Sequence, residues 1–288
     1  MVELGQPTYR LLKNIEGEYQ FVHEVVPQPG QGEVLVKVAY STFNPIDRYQ
    51  YFLFKTEHVG SDGSGTVVQV GEGVDNSLIG KKVAFLLGAW AEYRLVKKDD
   101  LMVLDDSQDL SKAANAGINP VTAVGLLELA QERGAKAIIQ TAASSQLGKQ
   151  INKLFQKHGI QVINVVRREE LVKQLKEEFG FEYALNQNSE TFFQDLKLSI
   201  KRANINISGD EILFKDKSVR SFLIFHWLTT ITQEHKERVF KQVADDLKEG
   251  GLIFGSNIVK EITLDQYLEG FDEQLKVSAD GKILVKIQ

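Results

Sequence analysis

The chain has 288 residues, a length that suits one two-lobed protein or two modest domains. Hydrophobic residues make up 43% and charged residues 25%, and 34 Lys and Arg against 39 Asp and Glu leave a net charge of −5. No block of like charge would suit nucleic acid or a polyanion, and the absence of cysteine excludes disulfides, thiolate metal sites and a cysteine nucleophile.

No apolar run reaches membrane-spanning length. The start, "MVELGQPTYRLLKN", lacks a signal-peptide core and is poor in arginine. The expected address is the cytosol, and the expected partner is a small-molecule substrate rather than nucleic acid or membrane.

The first third reads as β-structure. In "EVLVKVAY" (33–40), Val34, Val36, Val38 and Tyr40 alternate on one side, the period-two pattern of a half-buried strand. Further β-rich runs stand at 65–74, 81–87 and 89–96, divided by glycine turns. Short strands at this spacing predict a small antiparallel barrel.

The character changes near residue 108. "INPVTAVGLLELAQERG" predicts a helix with Asn119 as cap, Pro120 at its first position and Gly134 at its end. "AKAIIQTA" is a short strand. Apolar residues at 147, 151, 154 and 155 then mark a helical face. "IQVINVV" (160–166) is a strand, and "REELVKQLKEEFG" a helix ending at Gly180. "FEYALN" and "SETFFQDLKLSI" repeat the pair. Strands alternating with helices predict a parallel sheet with crossover helices. After Lys201 the rhythm breaks. "SVRSFLIF" (218–225) reads as a strand, "TQEHKERVFKQVADDLKEGG" as a helix and "GKILVKIQ" as a closing strand.

The segment "TAASSQLGKQ" joins a strand directly to a helix. Such a junction leaves unpaired N–H groups at the helix start, and with the helix dipole they form an anion site. The nucleotide-binding version is glycine-rich. Here Ser144, Ser145, Gln146 and Leu147 precede a single remaining glycine, Gly148. The next strand ends at Arg167 and Arg168. An acid at that point suits the ribose 2′-hydroxyl of NAD; arginine suits the 2′-phosphate of NADP.

In "AYSTFNPIDRY", "GSDGSGTVVQVGEGV", "INPVTAVGLL", "IIQTAASSQLG" and "GKILVKI", the chain resembles the zinc-independent, quinone-oxidoreductase-like and enoyl-reductase-like branch of the medium-chain dehydrogenase/reductases. The resemblance implies an α/β protein. A GroES-like β-barrel lobe (residues 1–110, with 251–288 returning to it) accompanies a Rossmann-type parallel-sheet lobe (111–250), the active site lying between them. It implies NADPH-dependent reduction of a quinone, enone or similar activated double bond. Asn44 and Thr122 lie near the nicotinamide on this reading, and Tyr49 or Tyr51 donates to a substrate oxygen. Zinc-using relatives place cysteine in the first segment and His-Glu in the second; Asn44 and Ser61-Asp62 stand there in this chain, so no metal is expected. A homodimer is expected, formed through the strand at 218–225.

One departure is visible. The chain passes from its third Rossmann strand to its last with no recognisable fourth or fifth strand, as if two strands were deleted near Arg202–Ile207. A shortened Rossmann lobe with a compromised catalytic half suits a second function, that of an inactive relative serving as a structural or assembly subunit.

Overall fold

The computed structural model describes residues 6–202 and 222–288. Contacts divide the chain into two units, Met1–Val121 with Ile231–Gln288, and Thr122–Thr230. These divisions fall later than residue 110 and earlier than residue 250.

The first unit begins with a hairpin that the sequence reading did not identify. Strand β1 (Thr8–Ile15) pairs antiparallel with β2 (Glu18–Val25), and Glu16 and Gly17 make the turn with positive φ. Strand β3 (Glu33–Thr42) follows, then a short helix α1 (Gln50–Phe54) and strands β4 (Asp62–Val70), β5 (Lys82–Leu86), β6 (Tyr93–Lys97) and β7 (Met102–Val103). The period-two reading of β3 holds for Val34, Val36 and Val38, buried with Val67, Val83 and Phe85, while Leu35 between them is also buried and Tyr40, beyond a register shift, is half-buried. Helix α2 (Leu110–Ala113) leads to α3 (Ile118–Glu132). The latter starts before Asn119, because the Val121 N–H already donates to the Gly117 carbonyl. Asn119 is therefore inside the first turn and does not cap it.

In the second unit strands and helices alternate as expected: β8 (Ala137–Thr141), α4 (Gln146–Lys157), β9 (Gln161–Val166), α5 (Glu169–Glu177), β10 (Tyr183–Asn186) and α6 (Phe192–Arg202). Glycines at positive φ, Gly134, Gly159 and Gly180, follow three of the helices, where the left-handed conformation ends a helix without a Cβ penalty. The sheet is parallel in the order β10-β9-β8, the 3-2-1 half of a doubly wound sheet. The expected deletion, and residues 218–221 of the expected strand, lie outside the described residues. The rest of that strand is corrected: Ile224–Thr230 form helix α7. Ile224 is buried, Trp227 and Leu228 are half-buried, and Phe222 packs on Trp227, which is helical spacing rather than period two. The strand on which the dimer expectation was based is therefore absent from Ile224 onward.

Helix α8 (Gln233–Lys248), capped by the Thr232 side chain, belongs with the first unit. Gln108 there donates to the Ala244 carbonyl. Strand β11 (Ile258–Thr263), helix α9 (Tyr267–Val277) and strand β12 (Lys282–Lys286) complete the unit. Its main sheet runs β11-β12-β3-β4-β5-β7, with β6 pairing to β3. A second core cluster joins Leu12, Phe43, Trp90, Phe271 and Ile283. Phe43, 1% exposed, packs edge-on against Trp90 and Phe271. Burying such a ring contributes about 1.5–3 kcal/mol, and it fixes the backbone one residue before Asn44.

Candidate functional site

At the carboxyl end of β8 the chain turns through Ala142, at φ +52, and enters α4 at Gln146. Ser145 is the N-cap. Its Oγ accepts the Gly148 N–H at 3.1 Å, and its own N–H donates to the Ala142 carbonyl at 3.0 Å. The first-turn N–H groups of Gln146 and Leu147 have no intrahelical acceptor. A Cβ on Gly148 would lie 2.5 Å from the Ala143 carbonyl oxygen, so glycine is required where helix and turn meet. Ser144 and Gln146 are buried, and the Gln146 Nε2 has no hydrogen-bond partner among the described residues. A buried amide donor without an acceptor, at the positive end of a helix, fits a phosphate oxygen.

Strands β8 and β9 are adjacent and parallel, with Thr141 opposite Val165. The phosphate turn and Arg167–Arg168 therefore leave the same end of the sheet, one strand spacing of about 4.8 Å apart. Ligands of open α/β sheets bind at this end. Both arginines are exposed, and neither makes an ion pair among the described residues. The Arg167 carbonyl accepts from Asn188, which holds the backbone and leaves the guanidinium free of it.

Sequence reasoning missed the support beneath this turn. Gln140 of β8 donates from Nε2 to the Gly148 carbonyl at 3.0 Å and to Asn164 Oδ1 at 2.7 Å. Asn152 of α4 donates to the same Oδ1, and Asn164 Nδ2 donates to the Tyr183 carbonyl of β10. Asn152 and Asn164 are fully buried. The available signal was a polar residue interrupting each apolar strand, Gln140 in "AIIQT" and Asn164 in "QVINVV".

In the first unit Asn44 opens a single 3-10 turn, Pro45–Arg48. All its polar atoms are engaged in a buried network, the carbonyl accepting the Asp47 N–H at 3.0 Å. The N–H donates to Asp47 Oδ2 at 2.6 Å, and Nδ2 donates to Ser61 Oγ at 3.0 Å and Asp62 Oδ2 at 2.8 Å. Oδ1 accepts from Lys282 Nζ at 2.6 Å. Asp47 also accepts the Ser61 N–H, and Asp62 the Ile118 N–H. Burial raises Asp47 to about 7 and Asp62 to about 6, opposed first by the N–H groups of Asn44 and Ile118 that donate to them and then by Lys282; burial lowers Lys282 to about 8, opposed by the two carboxylates.

Asn44 and Tyr49 thus share one segment, the second following the turn that the first opens. Tyr49 is 58% exposed. Tyr51 packs edge-on against Phe52. Thr122, half-buried in α3, belongs to the other unit. Zinc does not fit Asn44, Ser61 and Asp62, whose oxygens already accept N–H or ammonium donors. Nearby His58 is held neutral, at about 4, by burial and then by Arg94 and Lys13. Among the described residues no group of three His, Cys, Asp or Glu side chains is placed to hold a metal ion.

Residues 30–106 match the alcohol dehydrogenase GroES-like domain. A Caenorhabditis elegans protein named mitochondrial enoyl-[acyl-carrier-protein] reductase is 25% identical, over 87% of this chain and 86% of its own. A quinone oxidoreductase from Sus scrofa is 26% identical, over 64% of this chain and 62% of its own. The fold is shared with a Mesorhizobium loti crystal structure provisionally described as an NADPH:quinone reductase. Its TM-score is 0.81 and its identity 22%, and the match covers 97% of this chain and 98% of that one.

Residues 30–106 thus carry a GroES-like domain, and most of the chain is similar to enoyl and quinone reductases and shares their fold. The shared fold accounts for the division into a mainly antiparallel unit and a parallel-sheet unit, and the similarity to reductases points to a nicotinamide coenzyme. No helix among the described residues is long and apolar enough to cross a membrane.

Proposed function

We propose that this protein is an NADPH-dependent reductase of a quinone, enone or similar activated double bond, working without zinc. The carrying observation is the pair Arg167–Arg168, exposed and without an ion-pair partner among the described residues, at the strand end beside the Gly148 turn. On this reading the Ser144–Gly148 turn holds the pyrophosphate, through the open amides of Gln146 and Leu147 and the Gln146 side chain, and the two guanidinium groups take the 2′-phosphate. The bound coenzyme supplies a hydride. Tyr49 is the proposed donor to the substrate oxygen, completing the reduction with a proton. Asn44, its amide engaged on every side, contributes by holding the turn that leads to Tyr49. Thr122 is proposed, by resemblance, to lie near the nicotinamide. The absence of zinc is supported by the closed network around Asn44.

Calorimetric titration tests the coenzyme. NADPH is expected to bind at least tenfold more tightly than NADH, a difference of about 1.4 kcal/mol; equal millimolar affinities overturn the proposal. A second reading is an inactive relative acting as a structural or assembly subunit. It rests on the unrecognised fourth and fifth strands of the sequence, and steady turnover of an enone or quinone by pure protein refutes it. A cytosolic homodimer remains part of the proposal. Sedimentation tests the dimer. Fractionation tests the address, since the C. elegans relative is named as mitochondrial.

A further inference from the structure

Lys282 is the first residue of β12 and is 5% exposed. Its ammonium donates to the Phe43 carbonyl at 2.9 Å and to Asn44 Oδ1 at 2.6 Å. The contact spans 238 residues of sequence. It orients the Asn44 amide, because an oxygen facing an ammonium leaves Nδ2 to serve Ser61 and Asp62. The Asn44 N–H then meets Asp47, which in turn takes the Ser61 N–H. Every bond in this chain closes around the Pro45–Arg48 turn. A second tie from the same end of the sequence reaches the turn: Arg48 pairs with Asp272 of α9 at 2.6 Å and lies over the Phe271 ring.

Beyond the turn the chain is differently placed. Gln50 is fully buried, but Tyr49, Phe52 and Leu53 are each more than half exposed, and α1, only five residues long, ends at Lys55 in the left-handed conformation. Five residues do not hold a helix by themselves. The aromatic arm therefore depends on its anchors: Gln50, buried but with no hydrogen-bond partner for its amide among the described residues, and the turn before it, whose closed set of bonds is built on Lys282.

We propose that Lys282 is a positioning residue for substrate: through Asn44 and Asp47 it fixes the turn from which the Tyr49–Phe54 arm projects. The buried ammonium sets the place of an exposed donor it does not touch. The kinetic part of this inference rests on the reductase reading above; the structural part stands apart from it.

The test uses Lys282→Met together with K282M/D62N. The single variant leaves two buried carboxylates without their cation and can fail to fold. The double variant removes one charge of each sign and keeps a polar group facing Asn44. In the folded double variant, amide hydrogen exchange of residues 49–54 is expected to accelerate at least tenfold, with residues 284–286 and the second unit unchanged. In turnover of a simple enone, KM is expected to rise about tenfold with NADPH affinity unchanged. Tyr49→Phe is expected to cost at least threefold less in kcat/KM in that background than in wild type, the non-additivity of residues acting as a unit. Unchanged exchange at 49–54, or an equal Tyr49→Phe effect in both backgrounds, overturns the proposal. If wild type binds NADPH but turns over no enone or quinone, the reductase reading fails. The exchange measurement then decides the role of Lys282 without it.

Discussion

Two polar regions of this protein are built from similar residues to opposite ends. Around Asn44, two carboxylates, an ammonium, an amide and a hydroxyl close on one another inside the first unit. Around Gly148, a helix start and two arginines leave donors unmet at the sheet edge of the second unit. The difference is one of satisfaction rather than composition. A buried polar group whose bonds are complete contributes to placement of the backbone, whereas donors left over at a helix start and a strand end are available to an anion. Asn44 and Arg167 looked equally functional in the sequence. Geometry gives the first a holding role and leaves the second open to a ligand.

This contrast can be broken or sharpened by substitution. The largest effect is expected beneath the open site. Asn164→Leu strands the donors of Asn152 and Gln140 and uncovers the Tyr183 carbonyl, which should cost about 2–4 kcal/mol in urea unfolding. A loss under 0.5 kcal/mol would mean that the network is not what holds the turn.

The closed site should reveal itself through pH. Asp47 and Asp62 have folded pKa values raised above their unfolded ones. Their contribution is complete below about pH 4 and is lost as pH rises through 6 to 7. Lys282 is lowered instead, so its contribution is gained as pH rises from about 8 towards 10.5. Asp62→Asn should therefore gain on wild type by about 1–3 kcal/mol between pH 4 and pH 7, the titration belonging to the coupled cluster rather than to one residue. Parallel stability curves for the two proteins would show that folding does not raise Asp62.

Next comes the open rim. The double substitution R167A/R168A is expected to weaken NADPH about tenfold, or about 1.4 kcal/mol, and leave NADH unchanged. Added salt should erode NADPH binding in wild type more than in the variant. A parallel loss for both coenzymes would move the arginines away from the 2′-phosphate. The smallest effect is expected at the cap: Ser145→Ala removes the acceptor of the Gly148 N–H and should cost about 1 kcal/mol in thermal unfolding. No change in Tm would mean that water replaces the hydroxyl.

Much of the second unit was legible because its signals are local. Ser145 precedes an amphipathic helix, Gly134 and Gly180 follow two others, and the strands between them are short apolar runs. The same approach failed at Ile224–Thr230, where an aromatic and β-branched run suggested a strand. There Ile224 and Trp227 are covered at helical spacing, a preference set by packing partners. Strand β11 and helix α9 carry weak periodicity and were not seen. Asp47 accepts two backbone N–H groups, a structural role that no local pattern announces.

By itself the sequence determined the elements whose signals lie within a few residues of one another, and so the alternation of β8 to α6, the phosphate turn and the arginines one strand away. Tertiary structure alone decided what meets across long separations: Lys282 on Asn44, Asn164 beneath Gly148, α8 packed with the first unit. The physical reason is that backbone conformation and capping are short-range properties. The pairing of a buried charge depends on which distant strand brings the opposite charge into the same dry space.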